Sequence, residues 1–132
     1  MALTQEECIA FLELIRWGNK PECPYCNSRK STPIHKESRY HCNYCYTSYS
    51  VTVGTIFHKS HVELPKWFKA ISLIKSSESG LSVRRLAREI SVTKNTALSM
   101  RTRIQRSTQD DLFQIAFILK FYQDYIKREK EE

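Results

Sequence analysis

The chain has 132 residues, of which 41% are hydrophobic, and its formal charge is +7. This length allows one domain or two very small ones, and so small a core often needs a metal ion or a partner subunit to complete it. No apolar run approaches the ~20 residues of a membrane helix. The first residues, MALTQEECIAFLELIRW, lack the basic region of a secretory signal. We therefore predict an intracellular, cytoplasmic protein without a membrane partner.

The chain begins with a predicted amphipathic helix. Thr4 and Glu7 have the spacing of a capping box, and Gly18 is placed to end the helix after about Trp17. Cys8 lies within this helix and outside any cysteine pair, so we expect it to be a buried, unligated thiol.

Helical periodicity disappears between residues 19 and 54. The stretches RYHC and YSVTV are typical of short strands. In the second stretch, Tyr49, Val51 and Val53 would share one face of the strand.

Two cysteine pairs flank these strands. Cys23 and Cys26, then Cys42 and Cys45, match the CxxC…CxxC spacing of a zinc site, in which four thiolates close a tetrahedron. A redox dithiol, two chance pairs and a rubredoxin-like iron site are the alternatives. We predict one structural zinc ion. Asn27 and Tyr46 follow the two pairs where a left-handed, glycine-favouring conformation is expected.

Helices return after residue 61. An apolar stripe of Trp67, Phe68, Ile71 and Ile74 predicts one helix, and shorter helices follow at about residues 82–90 and 94–107. The last helix is predicted for residues 109–128. The fold class is therefore small α+β: an N-terminal helix (1–18), a three-stranded zinc ribbon (19–60), a mainly α helix-turn-helix (61–108) and a C-terminal helix (109–132).

Residues 82–107 have the pattern of a helix-turn-helix. Leu86, Ala87 and Ile90 form one inner face, and Ala97, Met100 and Ile104 form the other, with Thr93 as the cap of the second helix. The outer face of the second helix is polar, as in a helix that enters a DNA major groove. The predicted DNA-binding residues are Arg84, Arg85, Arg88, Thr93, Lys94, Asn95, Ser99, Thr102 and Arg103. A plain three-helix core with a solvated face is the alternative.

The positive charge is concentrated in this segment. Residues 84–106 contain seven basic residues and one acidic residue, a net charge of +6. Such a concentration indicates a polyanionic partner such as double-stranded DNA, although a solvated basic surface has the same composition.

Taken together, CPYCNS, YHCNYCYTSYSVTVGTIFHKS, LPKWFKAISLI and LAREISVTKNTALSMRTRI resemble the N-terminal part of bacterial insertion-sequence transposases. In that family a zinc ribbon precedes a helix-turn-helix and an RNase H-like catalytic domain of the DDE type. The resemblance covers residues 20–107. It implies binding to element ends or an operator in a bacterial cytoplasm, with association to the nucleoid when bound to DNA. Tyr49 stands where the family usually has phenylalanine.

The family's catalytic domain is not expected in this chain. Only 25 residues follow Ser107, and Asp110, Asp111 and Asp124 fall on one helix. We therefore predict that the chain is not an enzyme. A truncated element, a separate DNA-binding subunit and a domesticated regulator remain open.

Two functions of different classes follow. The first is a sequence-specific DNA-binding protein. The second is a zinc-ribbon protein-interaction adaptor, or a transcriptional regulator without a role in transposition. The last helix gives weight to a protein contact, because it is apolar on almost every side between residues 112 and 121. Either a homodimer through this helix or packing by other helices would cover it.

Overall fold

The computed structural model describes residues 3–18, 20–77 and 80–131. The elements are α1 (Gln5–Trp17), β1 (Ser31–Ile34), β2 (Arg39–Cys42), β3 (Ser48–Tyr49), α2 (Leu64–Ser76), α3 (Val83–Ile90), α4 (Lys94–Gln105) and α5 (Gln109–Glu131), with a 3-10 turn at His35–Glu37. The predicted α+β class, with an N-terminal helix, a three-stranded sheet and a series of helices, is confirmed. The chain forms two compact units, one of residues 4–61 and one that includes residues 62–131.

Helix α1 begins and ends as its sequence predicts. The backbone N–H of Glu7 donates to the Thr4 hydroxyl at 3.1 Å, and the Thr4 N–H donates to the Glu7 carboxylate at 3.2 Å. Gly18 takes the left-handed conformation at the other end, with φ 59°. Because both orphan N–H groups are satisfied, the helix starts at a defined residue.

The sheet is antiparallel in the order β1-β2-β3, with Ser31 opposite Cys42 and Tyr40 opposite Tyr49. Aromatic rings attach α1 to it. Trp17 meets Tyr40 and Tyr49 edge-on at 5.6 and 5.7 Å, and the two tyrosine rings stack at 5.8 Å. The Tyr40 hydroxyl also donates to Glu13 at 2.6 Å. The first helix and the ribbon therefore share one core.

The predicted strand YSVTV is wrong beyond its first residue. Strand β3 ends at Tyr49, and residues 51–59 form turns. The Ser50 and Thr52 hydroxyls bond to each other at 2.9 Å, and the Val53 N–H donates to the Ser50 carbonyl at 3.3 Å. These local bonds offer the backbone an alternative to a sheet ladder. The apolar side chains are nevertheless buried, which explains why their spacing imitated a strand.

In the helical unit, α2 packs against α5. Trp67, Phe68 and Ile71 of the predicted stripe are buried and Ile74 is half-buried, and Phe68 meets Phe121 edge-on at 6.1 Å. Among the described helices, α5 included, none is both long enough and apolar enough to cross a membrane.

Helices α3 and α4 are joined by a short turn. The Ser82 hydroxyl accepts from the backbone N–H of Arg85 at 3.1 Å, and the Thr93 hydroxyl accepts from Thr96 at 3.2 Å, so each helix has a side-chain N-cap. Ser91 is left-handed in the turn, with φ 58°. The six residues predicted for the inner faces are all buried: Leu86, Ala87, Ile90, Ala97, Met100 and Ile104.

Helix α4 is shorter than predicted. It ends at Gln105, and the Ser107 hydroxyl donates to the carbonyl of Ile104 instead of continuing the helix. Helix α5 is longer than predicted and reaches Glu131.

Candidate metal centre and nucleic-acid interface

Two tight turns of identical hydrogen bonding hold the cysteine pairs. In the first, the Cys23 N–H donates to the Ser28 carbonyl at 2.9 Å, and the Asn27 N–H donates back to the Cys23 carbonyl at 2.8 Å. The second repeats both bonds around Cys42, with Tyr46 in the place of Asn27. Asn27 and Tyr46 have φ of 64° and 63°, so both take the left-handed conformation expected there.

The four sulfur atoms form a compact cluster. All lie within 4.8 Å of one another, with Cys23 and Cys45 at 3.6 Å and Cys26 and Cys42 at 3.5 Å. A zinc tetrahedron with Zn–S bonds of about 2.3 Å has sulfur–sulfur edges of about 3.8 Å, so the cluster fits the ion with little movement. Four thiolates fill its coordination sphere and leave no position for a substrate. This is a structural zinc site.

Hydrogen bonds from the second turn favour thiolates. The side chain and then the backbone N–H of Thr47 lower the pKa of Cys45 to about 6. The backbone N–H groups of Cys45 and Tyr44 lower the pKa of Cys42. The Ser28 N–H lowers the pKa of Cys26, but burial and the neighbouring thiols together outweigh it and raise the pKa to about 12. The N–H groups therefore support the negative charge that a metal requires.

These pKa values predict how zinc affinity changes with pH. At neutral pH the metal-free protein holds a proton on Cys26 that zinc must displace, so binding releases protons and affinity rises with pH. Below about pH 6 Cys45 also becomes protonated, and a further proton must leave. A competition titration with a chromophoric chelator should show apparent affinity falling as pH decreases, and falling more steeply below about pH 6. An affinity independent of pH between 5 and 8 would contradict this assignment.

Tyr49 lies beside the cysteines in the ribbon core, together with Cys23, Cys42 and Val53. It is fully buried, and within the described residues its hydroxyl has no hydrogen-bond partner. Burial raises the pKa of Tyr49, and the nearby Ser31 side chain lowers it only in part. An unpaired buried hydroxyl costs about 1–3 kcal/mol.

Tyr49→Phe should therefore stabilise the zinc-loaded protein by about 1 kcal/mol, because it removes the unpaired hydroxyl and keeps the ring contacts. Denaturant unfolding of the two proteins at equal zinc content measures this. Destabilisation by Tyr49→Phe would mean that the hydroxyl has a partner after all.

Cys8 is buried in α1 and stands apart from the cluster. Burial, with a smaller contribution from Glu7, raises the pKa of Cys8 to about 12. Its thiol therefore stays protonated, as a structural core residue does.

The residues predicted to contact DNA fall into two groups. Six are exposed on the two short helices: Arg84, Arg85, Arg88, Lys94, Asn95 and Ser99. The remaining three are constrained. Thr93 is exposed, but its hydroxyl is engaged as the N-cap of α4. Thr102 is half-buried and donates to the Leu98 carbonyl at 2.9 Å, and Arg103 is half-buried. Their freedom to reach DNA is lower than that of the first six.

Two basic residues serve the fold in a way that the sequence did not indicate. The Arg101 guanidinium donates to the Leu81 carbonyl at 3.2 Å, and the Lys66 ammonium donates to the Ser91 carbonyl at 3.2 Å. Lys66 thereby satisfies a carbonyl at the end of α3. Arg101 belongs to residues 84–106, so part of the +6 charge of that segment is engaged in a hydrogen bond within the protein.

Comparison with known proteins agrees with this centre. Residues 3–48 match the family model described as a transposase zinc-ribbon domain, which confirms the resemblance for residues 20–48 and extends it to α1. The chain is also similar to an uncharacterized protein in transposable element ISH50 of Halobacterium salinarum, with 33% identity over 110 residues. That alignment covers 79% of this chain and 35% of the relative, so the chain spans about a third of the relative's length. No solved structure matches.

Proposed function

From this transposase-type zinc ribbon and the exposed basic helix pair beside it in sequence, we propose that the chain is a sequence-specific double-stranded DNA-binding protein. It would correspond to the recognition part of an insertion-sequence transposase and bind element ends or an operator. The observation that carries the proposal is the outer surface of α3 and α4, where Arg84, Arg85 and Arg88 are exposed beside Lys94, Asn95 and Ser99. A surface of basic side chains with short polar side chains between them is typical of a helix-turn-helix that binds DNA.

The two helices would have different tasks. Asn95 and Ser99 lie four residues apart, so they share one face of α4, and an asparagine amide can pair with the edge of adenine. The arginines of α3 would hold phosphates, where charge matters and base sequence does not. Recognition of the duplex is thus assigned to residues 61–108. The zinc ribbon of residues 19–60 presents a surface that is separate from this one.

The function proposed for this chain is binding without catalysis. The zinc shell is filled by protein thiolates, and Asp111 and Asp124 both lie on α5, within one helix. A DDE-type site needs acidic ligands brought together from separate elements. Purified chain with Mg²⁺ or Mn²⁺ is therefore expected to leave DNA uncut.

Helix α5 supports a second role, a homodimer contact through residues 109–132. Ile115 and Ile118 are buried, whereas Phe113 and Phe117 are 64% and 44% exposed and meet each other at 4.9 Å. An exposed aromatic pair of this kind favours a protein contact, and DNA-binding proteins of this type often act as pairs. The adaptor function would use the same residues with a different protein.

Selection of bound duplexes from a random DNA pool tests the proposal. The expected result is a recovered sequence motif, and an inverted repeat within it would indicate a dimer. A parallel selection with an Asn95→Ala, Ser99→Ala variant serves as control, since it should lose the motif. If wild-type protein recovers no motif, the recognition role is wrong and the adaptor function replaces it.

A further inference from the structure

The zinc end of the ribbon carries three exposed tyrosines. Tyr25, Tyr44 and Tyr46 are 58%, 72% and 76% exposed, and each is the immediate neighbour of a zinc ligand, Cys26 or Cys45. Aromatic rings with so much surface in water are not part of a core. We define these three residues as the tip tyrosines.

The metal centre fixes their positions. Tyr25 and Tyr44 occupy the same place in the two turns, each directly before the second cysteine of its pair. The Cys26 and Cys42 sulfurs lie 3.5 Å apart, so the two turns converge on one ion. Tyr46 follows in the second turn and leans against His41, with ring centroids 6.2 Å apart. The rings are therefore presented by a rigid support, which lowers the entropy lost on binding.

Basic residues accompany the rings. Arg29 and Lys30 are exposed, and the Lys30 carbonyl accepts from the N–H of Asn43, which places Lys30 beside the second turn. Residues 23–62 contain five basic residues and one acidic residue. With zinc bound by four thiolates at a net charge of −2, this segment remains positive at +2. A polyanion is therefore attracted to it.

The surroundings of the rings distinguish nucleic acid from protein. Among the described residues 20–48, these tyrosines are the exposed large hydrophobic side chains, and no exposed leucine, isoleucine, valine or methionine joins them. Their neighbours Asn27, Asn43 and Thr47 are exposed and polar. A protein-binding surface has an apolar centre. Separate aromatic rings among basic and amide side chains instead suit stacking against unpaired nucleotides.

We propose that the tip tyrosines, with Arg29 and Lys30, bind single-stranded DNA by stacking against its bases. This site is distinct from the duplex contacts assigned to α3 and α4 and does not depend on them. It would engage strands that are unpaired or distorted. Because every base has an aromatic face, the site would have little sequence preference.

Fluorescence anisotropy with a labelled thymidine oligonucleotide of about 12 residues tests this site. The variant Tyr25→Ala, Tyr44→Ala in the zinc-loaded full chain should raise the Kd for this strand at least ~10-fold, because each stacked base contributes roughly that much. Tyr46 is not substituted, because its backbone is left-handed and a substitution there could change the turn as well as remove the ring. The Kd for a random duplex should change less than about 2-fold, since that binding is assigned to α3 and α4.

Two matched variants separate stacking from other effects. Tyr25→Phe, Tyr44→Phe keeps the rings and should retain binding, and Leu14→Ala removes an exposed apolar side chain from α1 and should have no effect. Zinc content is measured for each protein. If the double alanine variant loses zinc, strand binding is measured with the single variant Tyr44→Ala instead. Unchanged binding by a zinc-loaded alanine variant, equal loss in the phenylalanine variant, or no binding of the strand by wild type would overturn the proposal.

Discussion

Cys42→Ser should lose the zinc ion and with it the fold of the ribbon. Cys42 is fully buried, its sulfur lies 3.5 Å from that of Cys26, and a serine hydroxyl is a poor replacement for a thiolate ligand of zinc. Apart from the ligands, the buried core beside the zinc is small, with Tyr49 and Val53 as its other members. In zinc-finger peptides a structural zinc site contributes about 10–16 kcal/mol, far more than this core can replace.

Elemental analysis should therefore give one zinc per chain for wild type and essentially none for Cys42→Ser. Limited proteolysis should cut the variant within residues 19–61, while the helices of residues 62–131 persist. Cys8→Ser is the matched control: it replaces a buried cysteine outside the cluster and should keep the full zinc content. Full zinc content in Cys42→Ser would refute the ligand assignment.

Removal of the α3 arginines should produce the largest loss of DNA affinity. Arg84, Arg85 and Arg88 are exposed, and each phosphate contact contributes about 0.9 to the slope of log K against log salt. The triple alanine variant should therefore bind all duplexes on the order of 100-fold more weakly at 0.15 M salt, with the slope reduced by about three. Cognate and scrambled duplexes should be affected equally.

Lys36→Ala is the control for this prediction, because it removes an exposed positive charge from the 3-10 turn between β1 and β2. It should alter affinity and salt slope little. If the arginine variant keeps the wild-type salt slope, phosphates are not held by α3.

Local signals made much of this fold predictable. The capping box of α1, the spacing within each cysteine pair and the 3–4 spacing of Leu86, Ala87 and Ile90 all depend on neighbours within a few residues, and each is found as expected. The left-handed residues Asn27 and Tyr46 follow from the geometry of the cysteine turns in the same way.

What the sequence did not predict depends on the environment of single side chains. The Ser50 and Thr52 hydroxyls turn the chain where alternating apolar residues indicated a strand. Arg101 was counted with the DNA-facing charge, yet it bonds to the Leu81 carbonyl, a residue twenty positions away. The exposure of the tip tyrosines could not be predicted from the sequence either, because a tyrosine next to a ligand cysteine can face the core or the solvent.

The specificity ratio of Asn95→Ala tests the central claim most directly. It is the Kd for a scrambled duplex divided by the Kd for the selected motif, measured for wild type, for Asn95→Ala and for Gln105→Ala, an exposed control at the end of α4. A lost amide contact to a base should reduce the ratio by about 1–3 kcal/mol, roughly 5–150-fold, with little loss on the scrambled duplex. Gln105→Ala should keep the wild-type ratio. An unchanged ratio for Asn95→Ala would contradict the claim that α4 reads the DNA sequence.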